Sequence, residues 1–163
     1  MKIKRILLAA SIAAILLTLG IASVANAGGN LPVVSGAVGF LGENGGLKSY
    51  ASFAAKATGP TLPGEEHQPA SGFLLYHDES GLTFLVSVEH IHAHSATEVH
   101  FGGSIVKSND PSLVGMFAHA VAIDGRQPRG RGDAFSIIWT AADAHVHGAP
   151  QPVIYGNLIV RAG

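Results

Sequence analysis

The spacing of its turn-forming residues constrains this chain most. Gly59-Pro60-Thr61-Leu62-Pro63-Gly64, Asp78-Glu79-Ser80-Gly81, Ser108-Asn109-Asp110-Pro111, Asp124-Gly125 and Gly148-Ala149-Pro150 punctuate it at short intervals. Glycine reaches positive φ, proline lacks an N–H, and Asn and Asp side chains bond nearby backbone, so each cluster ends regular structure. The runs between them alternate like strands. In Leu82–Val88, the clearest, Leu82, Phe84, Val86 and Val88 share one face. Val33–Leu41, Tyr50–Thr58, Phe73–Tyr76, Val99–Val106, Leu113–Ile123, Phe135–Thr140 and Val153–Val160 complete the set. The Ala-rich stretch 51–57 carries no 3.6-residue stripe, and no helix is predicted. Short strands at this spacing predict an all-β domain: an antiparallel Greek-key sandwich, with a small closed barrel as the alternative.

The N-terminal segment reads as an address. Lys2, Lys4 and Arg5 precede an apolar run from Ile6 to Val24, and Ala25-Asn26-Ala27 supplies the small-x-small pattern that signal peptidase accepts. Residues 1–27 are predicted to be a signal peptide cleaved before Gly28, which makes the protein secreted or periplasmic. Residues 28–48 hold seven glycines and read as a flexible lead-in around the Val33–Leu41 run. Residues 49–161 read as one β domain. Cleavage leaves 136 residues, enough for one core. The signal carries three of the ten basic residues and none of the eleven acidic ones, leaving a net charge of about −4. That balance disfavours nucleic acid or an anionic membrane surface as partner, since both demand clustered Lys and Arg. There is no cysteine, which excludes disulfides, thiol chemistry, Cys-ligated metals and a lipoprotein anchor. With no second apolar span, no stable membrane insertion is expected after signal removal, and the expected partner is an extracellular or cell-surface ligand.

The stretch Asp124-Gly125-Arg126-Gln127-Pro128-Arg129-Gly130-Arg131-Gly132-Asp133-Ala134-Phe135-Ser136-Ile137 reads D-G-x-x-P-x-G-x-G-D-x-F-x-I. With Gly72-Phe73-Leu74-Leu75-Tyr76, Gly103-Ser104-Ile105 and Gly156-Asn157-Leu158-Ile159-Val160, it resembles a family of small exported bacterial β domains of unknown function. The resemblance spans roughly residues 50–161 and implies export and a β fold, but no activity and no site residues. Within the stretch, Phe135, Ile137 and Trp139 alternate onto one face predicted to be buried. Asp133 is expected to close the Gly130–Gly132 turn by accepting backbone hydrogen bonds. That role makes Arg131-Gly132-Asp133 a structural string rather than an integrin-type recognition loop.

Histidine is the residue that the resemblance leaves unexplained: nine are present, all beyond residue 27. In Val88-Glu89-His90-Ile91-His92-Ala93-His94-Ser95-Ala96-Thr97-Glu98-Val99-His100-Phe101, a turn at Ser95-Ala96-Thr97 would set His94 opposite Glu98 and His92 opposite His100. Ile91 would then face Phe101, and Ala93 would face Val99. One face is apolar and the other carries three imidazoles and a carboxylate. Opposed residues have Cβ atoms about 5 Å apart, within reach of a shared cation. The candidate metal ligands are therefore His92, His94, Glu98 and His100, and the candidate cofactor is a divalent transition metal, Zn²⁺, Cu²⁺ or Ni²⁺. The plain alternative is a solvated polar hairpin face. His90, His92 and His94 share parity with the apolar face of Leu82–Val88, so either a bulge near Glu89 switches faces or the rings point inward. His92 to Glu98 also forms the H-x-H-x₃-E string of a cupin metal motif, without the downstream histidine. His145, His147 and Asp143 near the Gly-Pro turn read as solvated, and His119 as a satisfied core or edge histidine. No nucleophile or acid–base pair stands out. The expected function is a non-catalytic binding or structural domain. The alternative is a metal-binding protein or cupin-like metalloenzyme built on the hairpin.

Overall fold

Among the described residues, alternating apolar and polar residues between turns give nine strands in a single sheet. The structure is a computed structural model that describes residues 31–42, 46–61, 63, 66–141 and 146–161. The predicted signal, residues 1–27, lies outside the described residues, as do Asp143 and His145. The strands are β1 (Val33–Leu41), β2 (Lys48–Ala57), β3 (Gln68–Asp78), β4 (Thr83–Ala93), β5 (Glu98–Ser108), β6 (Phe117–Ile123), β7 (Ala134–Thr140), β8 (Gln151–Pro152) and β9 (Tyr155–Arg161). Every pairing is antiparallel, in the order β8-β7-β6-β5-β4-β3-β2-β1-β9. The chain meanders from β1 to β8, and β9 then returns to pair with β1. The sheet curls into a half-barrel that brings its two ends together, where Ile154 N donates to Gly39 O at 2.7 Å.

Three expected boundaries differ. β1 lies inside the segment expected to be a flexible lead-in, yet it pairs along its length with β2 and β9. Its glycines serve packing rather than flexibility: a Cβ at Gly36 would stand 2.8 Å from Leu158 Cβ, and one at Gly39 2.3 Å from the Tyr155 ring. Leu113–Ile123 is not one strand. Pro111 opens a single helical turn, Pro111–Leu113, capped by Asp110 Oδ1 accepting from Ser112 N (3.0 Å), and β6 begins at Phe117. Val153–Val160 is likewise interrupted: Val153 N donates to Asp133 O and Ile154 N to Gly39 O, so β9 starts at Tyr155.

The concave face holds the core. Phe135 is fully buried; its ring stacks on Phe53 and meets Phe40 edge-on, each at 5.0 Å between centroids. Phe101 tilts against Phe53, and Trp139 packs on Phe84 and Tyr76. Phe135 and Ile137 are buried and Trp139 packs against the same cluster, so the three share the predicted face.

Two aspartates join the ends of the sheet. Asp133 is 2% exposed, and its carboxylate accepts from Gly125 N and Leu158 N, both at 3.0 Å. Leu158 lies across the seam on β9 and Gly125 in the loop after β6; neither donor is in the Gly130–Gly132 turn, where Asp133 instead donates its own N–H to Gly130 O. Asp124 Oδ2 accepts from Val160 N at 3.2 Å. Together the two carboxylates satisfy β9 donors that face away from β1. A side chain buried in this way cannot serve as an exposed recognition tripeptide.

Candidate functional site

A register shift in β4 creates the site. Val88 pairs with Gly103 and His90 with Gly102, so Glu89 is an extra residue in a β-bulge. Gly103 permits it, because a Cβ there would lie 2.0 Å from Ser87 O. Before the bulge, Phe84, Val86 and Val88 face the core; after it Ile91 does, and His90 and His92 turn to the convex face. The parity conflict in the sequence is thus resolved by a change of face at Glu89.

Beyond the bulge the hairpin takes the register that alternation predicts. His92 pairs with His100, Ile91 with Phe101 and Ala93 with Val99. His94 N and Ser95 N both donate to Glu98 O, closing the Ser95–Thr97 turn. His92, His94 and His100 therefore lie together on the convex face. Their ring centroids are 6.2 Å (His92–His94), 6.4 Å (His92–His100) and 5.3 Å (His94–His100) apart. Glu98 Oε1 lies 2.8 Å from His100 Nε2, with both side chains partly buried. An ionised carboxylate only accepts, so a neutral His100 bonded to it would donate from Nε2 and keep the lone pair of Nδ1. This carboxylate–imidazole pairing is the kind that orients metal-ligating histidines.

Register carries the face across β6 and β7. His100 pairs with Val121 and Val121 with Ser136; Gly102 pairs with His119 and His119 with Ile138. His119, Val121 and Ser136 are buried but stand outside the apolar cluster of the concave face. Residues 146–150 cross this face, anchored where Ser136 Oγ donates to Gly148 O at 2.9 Å. That crossing sets the His147 ring 4.4 Å from His100 and 6.1 Å from His119. His147 is exposed, as a solvated residue would be, yet it belongs to the array. His119 is 1% exposed and packs against His90 (5.6 Å) and Phe117 (5.8 Å). His67, just before β3, meets His90 at 5.0 Å and His92 at 5.5 Å.

Sequence reasoning found the hairpin and missed this assembly. His67, His119 and His147 reach the site from segments remote in the chain, and only the β5–β6 register hints at His119. Among the described residues, no group of three His, Asp or Glu side chains already has its donors placed to hold a metal ion. The spacing nevertheless suits one. Two imidazoles on a single Zn²⁺, with Zn–N near 2 Å, have centroids roughly 5 Å apart.

His77 stands apart from the array. It stacks on Tyr50 (6.1 Å), which in turn tilts against Tyr155 (5.6 Å), beside a shallow apolar cleft of about 270 Å³ floored by Ala37, Ala51 and Ser52. The hydrogen bond with Tyr50 is the chief reason the Tyr155 hydroxyl is pushed up to about 12. Among the described residues no helix is long and apolar enough to cross a membrane. Comparison with protein-family models, with curated proteins and with solved structures finds no match for this chain.

Proposed function

We propose that this is an exported, non-catalytic binding domain whose working surface is the histidine face, and that its ligand is a divalent transition metal. The observation that carries the reading is the triangle of His92, His94 and His100, with Glu98 bonded to the third ring. Neutral imidazole suits Zn²⁺, Cu²⁺ and Ni²⁺, and the Glu98 carboxylate offsets part of the charge of the ion. His147, lying on His100, is placed to add a ligand from the 146–150 segment. The predicted signal and the resemblance to exported β domains support export, and outside the cytoplasm an imidazole site without thiols would resist oxidation. The same reading takes the curled sheet as a small barrel rather than a sandwich, its gap joined by Asp124, Asp133 and the Ile154–Gly39 hydrogen bond.

Isothermal titration of protein purified without a polyhistidine tag tests the function. Zn²⁺, Cu²⁺ or Ni²⁺ should bind with a dissociation constant of a micromolar or less, about −8 kcal/mol. The double substitution His92→Gln/His100→Gln should remove that tight phase while leaving the circular-dichroism spectrum intact. Unchanged tight binding by the double variant overturns the reading.

A further inference from the structure

We propose that the histidine face holds a second transition-metal subsite, formed by His67, His90 and His119, so that one chain takes two divalent ions. The inference extends the reading above with different residues. Six rings make a closed circuit: His67 to His90 (5.0 Å), His90 to His119 (5.6 Å), His119 to His147 (6.1 Å), His147 to His100 (4.4 Å), His100 to His92 (6.4 Å) and His92 back to His67 (5.5 Å). One ion cannot serve so wide a circuit. His92 and His100 are paired across β4 and β5, whereas His90 and His119 lie two positions further along their strands, on either side of Gly102. A zinc ion takes about four ligands in a tetrahedral shell, and six rings exceed that number.

Gly102 makes the second arc possible. It pairs with both His90 and His119, and any other residue there would place a side chain between them. A Cβ on Gly102 would stand 2.4 Å from Ala118 O and 3.1 Å from His90 Nε2, so backbone and imidazole together fill the space that the missing side chain leaves. His67 closes over the same ring from the segment before β3. The 5.0 and 5.6 Å separations are those expected of imidazoles sharing one ion. Two neighbouring dications repel, so the ions should enter stepwise, the second more weakly.

The test is metal stoichiometry, measured by elemental analysis of the tag-free full chain after equilibrium dialysis against excess Zn²⁺. The variants are His67→Gln, His67→Gln/His90→Gln and His92→Gln/His100→Gln, each checked for an unchanged circular-dichroism spectrum. His67 lies outside every strand, so His67→Gln still tests the subsite if the His90 change prevents folding. The expected result is two Zn²⁺ per chain, falling to one in the His92/His100 variant and to one, or to a weakened second ion, in the His67 variants. One Zn²⁺ per chain, unaffected by the His67 substitutions, overturns the second subsite and leaves the hairpin site standing. One Zn²⁺ lost with either pair means a single shared ion and also overturns it. No Zn²⁺ at all removes both proposals.

Discussion

The two faces of β4 and β5 carry opposite chemistry on the same backbone. On the concave side Ile91, Val99 and Phe101 are buried and continue the apolar cluster centred on Phe53 and Phe135. On the convex side, one residue along, His90, His92, His94 and His100 face one another and, in part, solvent. The concave residues are explained by folding alone, since burying a large apolar side chain contributes about 1.5–3 kcal/mol. The convex residues are not. Threonine or glutamine would serve a half-exposed strand face at least as well, so folding gives no reason for imidazoles at these positions. The contrast separates what the chain needs in order to fold from what it carries for another purpose.

Substitution on each face puts the contrast at risk. Phe135→Ala removes a fully buried ring that stacks on Phe53 and meets Phe40 edge-on, and should cost about 3–5 kcal/mol, read as a lowered urea midpoint with an unchanged slope. A loss under about 1 kcal/mol would mean that the concave face is not the stabilising one. Next in size is the ligand effect. Zn²⁺ at a hundred times its dissociation constant should add about 2.7 kcal/mol of stability, seen as a raised melting temperature that His92→Gln/His100→Gln abolishes. Acidification should erase the increase, because protons compete with the ion for the ring nitrogens. An increase that persists at pH 5 would point to carboxylates instead.

Asp133→Ala comes third, at about 1–3 kcal/mol, because Gly125 N and Leu158 N lose their acceptor. Hydrogen exchange at the Leu158 amide should quicken in this variant, and an unchanged exchange rate would contradict the seam. The smallest effect on stability belongs to His147→Gln, within about 0.5 kcal/mol because the side chain is exposed. Its effect on Zn²⁺ affinity should be larger, a loss of about tenfold or more on titration. Equal affinity would confine the site to the hairpin.

How much of this was legible in the sequence follows from the range of each interaction. The His92–His100 pairing could be read because a three-residue turn fixes the register of its own hairpin. The face switch at Glu89 showed as a conflict of parity between Val88 and His90, although the glycine that admits it, Gly103, sits on the neighbouring strand. Phe135, Ile137 and Trp139 announced a buried face by alternation. Asp133 was recognisable as a backbone acceptor within its loop, but its donor Leu158 N was not, because the return of β9 to this seam depends on the whole sheet order. Val33–Leu41 could be read as a strand, but not its place between β2 and β9, since its glycines answer to Leu158 and Tyr155 at the far end of the chain. His67, His119 and His147 join the array through the β3 approach, the β5–β6 register and the 146–150 crossing, none of which has a local signature.

The central claim, that the convex histidines exist to bind metal, is tested most directly by locating the ion. Crystals of tag-free protein grown with Zn²⁺ above pH 7 can be measured at the zinc edge. The account predicts an anomalous peak among His92, His94 and His100, with at least two of their ring nitrogens at about 2.0–2.1 Å. A histidine face with no peak, or zinc found only at isolated surface carboxylates, would contradict it.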